Sequence, residues 1–378
     1  MTGWWEALER LARTRAKAGL TRTLRPRPAG DDVVDLAGND YLGLAAHPEV
    51  IAAAAQALTA YGLGATGSRL VRGSTEAHAA LEADLADWLG APEALVFSSG
   101  YLANLGAVRA LATKESLVLS DAYNHASLID GCRMSGAETV VVPHADPAAV
   151  SILLAAAGDR PAVVVTESVF SVDGDLAPLA ELHAVTSARG ALLLVDDAHA
   201  VGILGPSGAG AVAAAGLAGA SDVVVTATLS KSLGGAGGVV AGHPALIRHL
   251  VDTGRTFIYD TAPPPAVVAG VHAALRVARA ADDRRAVLAE RAELTVRRLG
   301  VAGFEVARPA AGVLSIPAPG PEAAVAWAAD CRDRGIAVGC FRPPSTPDGS
   351  SRLRLTLNAG VSDLDFARAL DVIVECAP

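Results

Sequence analysis

Lysine is scarce in this sequence of 378 residues. Of the 31 basic residues only Lys17, Lys114 and Lys231 are lysine, and the rest are arginine. The bias is compositional, but it has a consequence for function. If the protein uses a lysine as a nucleophile, the choice is limited to these three side chains.

Other absences exclude whole classes of protein. The four cysteines are widely spread and form no CxxC pair, so we expect reduced, structural cysteines and no zinc or redox site. A net charge of −9 disfavours nucleic acid as a partner. No uncharged apolar run reaches the roughly 18–20 residues that a membrane span needs. The charged N-terminus does not resemble a signal peptide, so we predict a cytoplasmic protein.

Short apolar bursts alternate with helical segments along the chain. The bursts are Leu95–Phe97, Leu117–Leu119, Thr139–Val142, Ala162–Thr166, Ala191–Val195, Val223–Thr226 and Val239–Ala241. Several are apolar on both faces, which is typical of buried parallel strands covered by helices. We therefore predict an α/β fold with three parts. These are an N-terminal helix and extended segment (1–45), a large domain (46–265) and a small C-terminal α+β domain (266–378).

A glycine-rich motif at Gly62–Gly67 fits the GxGxxG pattern of dinucleotide sites. Such a site requires a strand before the motif and a helix after it, whereas here an alanine-rich helix is predicted before it. A loop near an active site is the favoured interpretation. A non-catalytic dinucleotide-binding protein is retained as the alternative from another functional class.

Polar residues cluster where predicted strands end. Leu192–Val195 runs into Asp196, Asp197 and His199, and Val223–Thr226 runs into Thr228, Ser230 and Lys231. Thr166–Ser171 and Phe97–Tyr101 are further polar strand ends, and the second one opens a helix whose free N–H groups suit an anion. Ligands of parallel sheets bind at these carboxyl ends of the strands.

This set of side chains matches the needs of pyridoxal 5'-phosphate. That cofactor takes a lysine that forms a Schiff base, a carboxylate at its pyridine nitrogen and a phosphate site. Two other interpretations remain open at this point. Asp196, Asp197 and His199 could bind a metal, and His125 could be a helix-capping or core histidine.

The motifs as a set resemble the α-oxoamine synthases, a family of fold-type I pyridoxal-phosphate transferases. The matching stretches are Asn39–Leu44, Phe97–Asn104, His125–Ser127, Val169–Gly174, Val195–His199, Thr228–Lys231, Arg342–Pro344 and Arg352–Thr356. They follow the family's order over almost the whole chain. The resemblance implies a mainly parallel seven-stranded sheet, a smaller C-terminal domain and a homodimer with its active site at the interface.

The resemblance also implies a role for each matching residue. Lys231 would carry the cofactor as a Schiff base and move the substrate proton, Asp196 would hold the pyridine nitrogen, His199 the phenolic oxygen, and His125 would stack on the ring. The remaining cofactor contacts would come from Gly100, Tyr101, Ser171, Asp197, Ala198, Thr228, Leu229, Ser230 and, from the partner subunit, Thr261. Substrate contacts would come from Arg342 and Asn39 at the amino-acid carboxylate, from His125, and from Arg22 and Ser345 at the acyl chain.

Within the family, Gly64–Leu70 and the stretch from Phe341 to Thr356 resemble the branch that serves biotin biosynthesis. That branch condenses L-alanine with a pimeloyl thioester carried by coenzyme A or an acyl carrier protein. Ser345 stands where the branch usually has threonine, and the hydroxyl is kept. Glycine-using siblings, such as 2-amino-3-ketobutyrate ligase and 5-aminolevulinate synthase, share the catalytic core and are the alternative within the family.

Overall fold

Two β-sheets organise the chain. The computed structural model describes residues 3–346 and 348–378. Its strands are β1 (Val34–Leu36), β2 (Glu93–Phe97), β3 (Leu117–Asp121), β4 (Glu138–Val142), β5 (Ala162–Glu167), β6 (Leu192–Asp196), β7 (Val223–Thr228), β8 (Gly238–Gly242), β9 (Val313–Ala318), β10 (Ile336–Phe341) and β11 (Ser351–Thr356). Its α-helices are α1 (Trp4–Lys17), α2 (Pro48–Tyr61), α3 (Glu76–Leu89), α4 (Gly100–Leu111), α5 (Ala126–Ser135), α6 (Pro147–Ala157), α7 (Leu179–Ser187), α8 (Ala211–Ala214), α9 (Pro244–Thr253), α10 (Arg255–Ile258), α11 (Pro265–Arg279), α12 (Asp282–Val301), α13 (Pro321–Asp333) and α14 (Asp363–Glu375).

The larger sheet has seven strands in the order β2-β8-β7-β6-β5-β3-β4. Only β8 runs antiparallel to its neighbours in this sheet. The predicted mainly parallel seven-stranded sheet is therefore confirmed, and the seven apolar bursts overlap its seven strands. Every residue of β5 and β7 is buried, as the two-sided apolar pattern predicts for strands covered by helices on both faces.

The smaller sheet joins the two ends of the chain. Its order is β1-β10-β11-β9, and β1 pairs in parallel with β10, with Val34 opposite Ile336. The extended N-terminal piece thus completes a sheet built mostly from C-terminal residues. The predicted division at 1–45, 46–265 and 266–378 stays a prediction, and residues 1 and 2 lie outside the described part of the chain.

Helices cover the sheets, whereas helix α1 lies on the surface. Helix α11 packs against α2 and α3. The indole N–H of Trp327 donates to the carbonyl of Ile373 at 2.8 Å, which fastens α13 to α14. Helix α1 buries none of its residues in the isolated chain. Among the described helices none has the length and apolarity to cross a membrane.

The strand register brings three polar residues together at the carboxyl ends of neighbouring strands in the large sheet. Glu167, the last residue of β5, pairs with Asp196, the last residue of β6. Asp196 in turn pairs with Thr226 of β7. Because these strands are parallel, their carboxyl ends open into the same space, and the loop after β7 carries Lys231 into it.

Candidate active site

A cavity of about 350 Å³ lies at the carboxyl ends of β5, β6 and β7. It gathers most of the residues predicted to form a site from distant parts of the chain. The predicted residues that line it are Asn39, Gly100, Tyr101, His125, Ser171, Asp196, Ala198, His199, Thr228, Ser230 and Lys231. The polar strand ends therefore converge as expected.

Lys231 is poised to act as an amine rather than only as a fixed cation. Its Nζ lies 2.9 Å from Nε2 of His199. Burial, the largest cause, and the nearby Arg354 guanidinium lower the pKa of Lys231 to about 8, although Asp196 and Glu167 act in the opposite direction. A buried lysine with this pKa has a substantial neutral fraction near neutral pH.

A chain of hydrogen bonds runs from Lys231 through His199 and Tyr41 to Asn39. The imidazole of His199 has its pKa lowered well below the ordinary range, chiefly by burial, so it is neutral. Its Nδ1 lies 2.6 Å from the hydroxyl of Tyr41, whose own pKa is raised by burial. The Tyr41 hydroxyl donates to Oδ1 of Asn39 at 3.4 Å. One consistent proton assignment follows, with Lys231 donating to His199 Nε2 and His199 Nδ1–H donating to Tyr41.

Asp196 is held as an acceptor by amide groups. Its Oδ2 accepts a hydrogen bond from Nδ2 of Asn104 at 2.7 Å, and its Oδ1 accepts one from the backbone N–H of Ala198 at 3.1 Å. Asn104 is oriented by Thr226, whose hydroxyl donates to Oδ1 at 2.5 Å, and by the Ser127 hydroxyl at 2.8 Å. The carboxylate thus has a fixed direction toward the cavity.

His125 combines the two roles that the sequence left open. It precedes α5, and its Nδ1 accepts a hydrogen bond from the backbone N–H of Ser127 at 3.2 Å, which is a helix cap. The same ring also lines the cavity. Its pKa is lowered, mainly by desolvation, with Lys231 adding to the decrease and Asp196 opposing it. A neutral ring of this kind is suited to stacking on a flat ligand.

The start of α4 forms an anion-binding corner. Gly100 and Tyr101 are its first two residues, so their N–H groups have no partner within the helix. A Cβ added to Gly100 would lie 3.1 Å from the Cβ of Thr228, which shows how closely the helix start meets the end of β7. The hydroxyls of Thr228 and Ser230 lie 2.8 Å apart on that side. Together these donors suit a phosphate group.

Arg354 is the main functional residue that the sequence reasoning missed. This β11 side chain lines the cavity and is 5 % exposed. Its guanidinium donates to the carbonyl of Ser171 at 2.9 Å and to Oδ1 of Asn39 at 2.6 Å, and it lies over the Phe341 ring. Within the described part of the chain it has no carboxylate partner. A buried cation without a counterion is costly, so the arrangement indicates an anionic ligand.

Arg342, which was predicted to bind the amino-acid carboxylate, is placed elsewhere. It does not line the cavity. Its guanidinium donates to the backbone carbonyls of Gly19 and Thr21, the second at 3.2 Å. The contact fastens the N-terminal segment, and Arg22 of that segment reaches the hydroxyl of Ser345 at 3.4 Å. Both Arg22 and Ser345 are exposed and lie outside the cavity, side by side.

Asp197 is turned away from the cavity. Its carboxylate accepts hydrogen bonds from the Ser168 hydroxyl and from the backbone N–H groups of Ala211 and Val212. Burial raises its pKa to about 6. The alternative of a metal bound jointly by Asp196, Asp197 and His199 is not supported, because these contacts occupy the Asp197 oxygens.

Two other predicted cofactor residues also lie outside the cavity lining. Leu229 is a buried residue whose backbone N–H donates to the carbonyl of Gly237 at 3.0 Å, so it shapes the turn before Lys231. Thr261 is exposed and bridges to Ser68 on the surface. Thr261 therefore does not line the cavity of its own subunit.

The glycine motif at 62–67 follows α2 and so lacks the strand that a dinucleotide site requires. Gly64, Ala65 and Thr66 instead line a surface cavity together with Tyr61 and Val71. The structure does not support the dinucleotide interpretation.

The residues present fit pyridoxal 5'-phosphate. An anion corner at Gly100 and Thr228, a fixed carboxylate at Asp196, a flat ring at His125 and an amine at Lys231 surround one cavity. Asn104 and Arg354 also line this cavity, and Tyr41 supports it through its hydrogen bond with His199. All three residues lie in stretches that resemble the family. Their roles depend on contacts that the sequence alone does not show.

Comparisons with known proteins agree with this geometry. The model of the family "aminotransferase class I and II" matches residues 31–373. Relatives named 8-amino-7-oxononanoate synthase include one from Mycolicibacterium smegmatis, 54 % identical over 96 % of this chain and 94 % of the relative. Another, from Mycolicibacterium gilvum, is 51 % identical over 97 % of this chain and 96 % of the relative.

Solved structures with the same fold include a serine palmitoyltransferase from S. paucimobilis that contains PLP and myriocin. Its TM-score is 0.92 at 31 % identity, and the match covers 100 % of this chain and 98 % of that one. An 8-amino-7-oxononanoate synthase from Francisella tularensis has a TM-score of 0.77 at 27 % identity, with 91 % of this chain and 97 % of that one covered. The chain therefore belongs to the aminotransferase class I and II family, in the branch of the 8-amino-7-oxononanoate synthases.

Proposed function

We propose that the protein is a pyridoxal-phosphate-dependent acyltransferase of biotin biosynthesis. It condenses L-alanine with a pimeloyl thioester, carried by coenzyme A or an acyl carrier protein, and releases 8-amino-7-oxononanoate, carbon dioxide and the free thiol. The observation that carries the proposal is the convergence of Lys231, Asp196 and the unpaired Arg354 in one cavity of a chain whose relatives have that name. Cytoplasmic localisation stays a prediction.

Pyridoxal 5'-phosphate, when bound, supplies a conjugated ring that accepts the electron pair released at the amino-acid α-carbon. Asp196 would favour that acceptance by holding a proton at the pyridine nitrogen, and its hydrogen bond from Asn104 would keep the carboxylate directed at that atom. His199 is held by Tyr41 within hydrogen-bonding reach of Lys231 and is suited to contact the phenolic oxygen. His125 covers the ring face.

Lys231 moves the proton. Its neutral amine takes the α-proton of alanine, and the α-carbon then attacks the thioester carbonyl as the thiolate leaves and takes a proton from solvent. Loss of carbon dioxide follows, and the Lys231 ammonium returns a proton to the same carbon. A lysine whose pKa is about 8 can both accept and return a proton near neutral pH.

Arg354 is the residue that we propose for the alanine carboxylate. Its buried guanidinium has no carboxylate partner among the described residues, and its planar fork matches a carboxylate in two hydrogen bonds. Asn39 accepts a hydrogen bond from it and orients it. Arg342 has a different task, since its contacts with Gly19 and Thr21 hold the segment that carries Arg22.

Arg22 and Ser345 are suited to the far end of the acyl chain. The pimeloyl group ends in a carboxylate, and the two side chains meet outside the cavity. An exposed arginine beside a hydroxyl offers a charge-assisted hydrogen bond to such a group. Their roles remain proposals that rest on this placement.

We further propose a homodimer with the active site near the interface. Exposed apolar side chains lie close in sequence to the two residues of the Ser68–Thr261 bridge, namely Leu63 at 84 %, Val71 at 82 % and Tyr259 at 73 % exposure. An apolar surface patch of this kind favours an interface. Thr261 lies in this patch, where it could meet the cofactor phosphate of a partner subunit.

The function is tested by substrate selectivity. With purified, cofactor-loaded enzyme, alanine and a pimeloyl thioester should give 8-amino-7-oxononanoate, whereas glycine or serine should turn over at least about tenfold more slowly. Mass spectrometry of the product and carbon dioxide release measure this. Lys231→Ala should abolish turnover and the borohydride-reducible adduct, with Lys114→Ala as the matched control. Full activity with glycine in place of alanine would assign the chain to a sibling branch.

The pKa of Lys231 predicts how cofactor uptake depends on pH. Only the neutral amine attacks an aldehyde, so the rate of pyridoxal-phosphate uptake by the apo-enzyme should rise about tenfold per pH unit below the lysine pKa and level off above about pH 8. Stopped-flow absorbance measures the rate. Because Asp196 raises the pKa of Lys231, Asp196→Asn should move the midpoint to lower pH. A midpoint near the ordinary value of 10.5 contradicts the assignment.

Two arginine variants separate the roles of Arg354 and Arg342. Arg354→Gln removes the proposed carboxylate contact and should raise the KM for alanine about 10- to 100-fold, the range of charge-assisted hydrogen bonds. Arg342→Gln should leave the KM for alanine within about twofold, and should raise that for the pimeloyl thioester, because it frees the Arg22 segment. Steady-state kinetics on both substrates measures this, and the opposite pattern would return the carboxylate role to Arg342.

A matched pair of surface variants tests the dimer. Val71→Asp places a charge in the proposed interface and should shift the protein toward monomer with loss of turnover. Leu364→Asp changes a side chain of similar exposure, 81 % against 82 %, on α14 and should leave both unchanged. Analytical ultracentrifugation gives the mass. A monomeric wild type with full activity refutes the proposed interface.

A further inference from the structure

Glu167 is a buried carboxyl group in the cavity to which the proposed mechanism gives no role. It ends β5, is 2 % exposed and lines the cavity. Its Oε2 accepts a hydrogen bond from the backbone N–H of Ser171 at 3.1 Å. Its Oε1 is buried and has no hydrogen-bond partner among the described residues. An unpartnered carboxyl oxygen in this position needs an explanation, because leaving it so is costly.

The surroundings of Glu167 favour its neutral form. Burial is the largest cause that raises the pKa of this carboxyl well above the usual range, and the charge of Asp196 on the neighbouring strand adds to it. Lys231 and the backbone N–H groups of Ser171 and His125 act in the opposite direction. The balance keeps one proton on the group.

The remaining charged and titratable groups around the cavity belong to other elements. His199 follows β6 and is neutral, His125 precedes α5 with a lowered pKa, and the Arg354 guanidinium projects from β11. Lys231 is the charged group that favours an ionised Glu167, and its amine would carry the cofactor in the loaded enzyme. The loaded site therefore favours the neutral carboxyl still more.

The hydrogen bond from Ser171 decides which oxygen carries the proton. Oε2 accepts an N–H, so it acts as the carbonyl-like oxygen, and the proton resides on Oε1. The carbonyl of the same Ser171 accepts a hydrogen bond from Nη1 of Arg354. The acid and the guanidinium thus contact the two backbone groups of one residue, and both line the cavity.

We propose that Glu167 is a neutral carboxylic acid that donates a hydrogen bond from Oε1 to the substrate carboxylate bound by Arg354. The proposal rests on the function proposed above and adds a second donor to it. A neutral acid at this point also avoids placing another negative charge beside Asp196, where it would repel an anionic amino acid.

Glu167→Gln is the decisive variant, because glutamine is neutral and of the same shape. Its amide oxygen can take the Ser171 N–H, which leaves the NH₂ group as a donor where Oε1 was. It should keep the dissociation constant for alanine, measured by the change in cofactor absorbance, within about twofold. Glu167→Leu removes the donor and should weaken alanine binding about tenfold or more. The exposed Glu181→Gln on α7 is the control and should change nothing.

The protonation state is measured on the apo-protein, independently of activity. A carboxyl with a raised pKa binds its proton more tightly when folded, so wild-type stability falls as pH rises above the unfolded value of 4.5. The thermal midpoint of Glu167→Gln minus that of wild type should therefore increase as the pH is raised from about 5 to about 8. Infrared difference spectra of wild type against Glu167→Gln should show a protonated carboxyl band at about pH 7.

The outcomes separate the two proposals. An ionised Glu167 at neutral pH, or equal loss of alanine binding in the Gln and Leu variants, overturns the role of Glu167. If the apo-protein shows a protonated Glu167 but wild type does not turn over alanine, the protonation state is established. The proposed substrate is then contradicted, and the proposed contact with it is overturned.

Discussion

The parallel register of β5, β6 and β7 is the constraint on which the site depends. It sets Glu167 opposite Asp196 and Asp196 opposite Thr226, so two carboxyl groups and a hydroxyl meet at the carboxyl ends of these strands. A slip by one residue would turn each side chain to the opposite face. Burial of these strands on both sides fixes the register through apolar packing, and the loop that holds Lys231 begins from these ends.

The buried charged groups of the site differ in how fully their hydrogen bonds are satisfied. Asp196 accepts hydrogen bonds from the Asn104 amide and a backbone N–H, whereas Glu167 accepts one backbone N–H and keeps an unpartnered oxygen. The arginines of β11 differ in the same way. Arg352 pairs with two carboxylates, and Arg354 contacts only carbonyl, amide and hydroxyl oxygens. Glu167 and Arg354, which keep unsatisfied groups, both line the cavity, where a ligand can complete them.

Much of the fold could be predicted from the sequence because apolar bursts and the polar residues that follow them are local signals. They placed Asp196, His199 and Lys231 at strand ends before any distance was known. The arginine that we propose for the substrate carboxylate could not be identified that way. Arg352 and Arg354 lie on the same face of β11, and Asp173, which pairs with Arg352, is distant in sequence. The distinction depends on partners brought together only by folding.

The scarcity of lysine acquires a physical meaning at this cavity. Arginine keeps its proton even when buried, so Arg354 supplies a fixed positive charge although burial lowers its pKa. Lysine loses its proton far more easily in the same surroundings, as the pKa of about 8 for Lys231 shows. Although arginine supplies nearly all positive charges of the chain, the side chain at the position where an amine must react and a proton must move is a lysine. The choice of side chain therefore follows from the chemistry of the step.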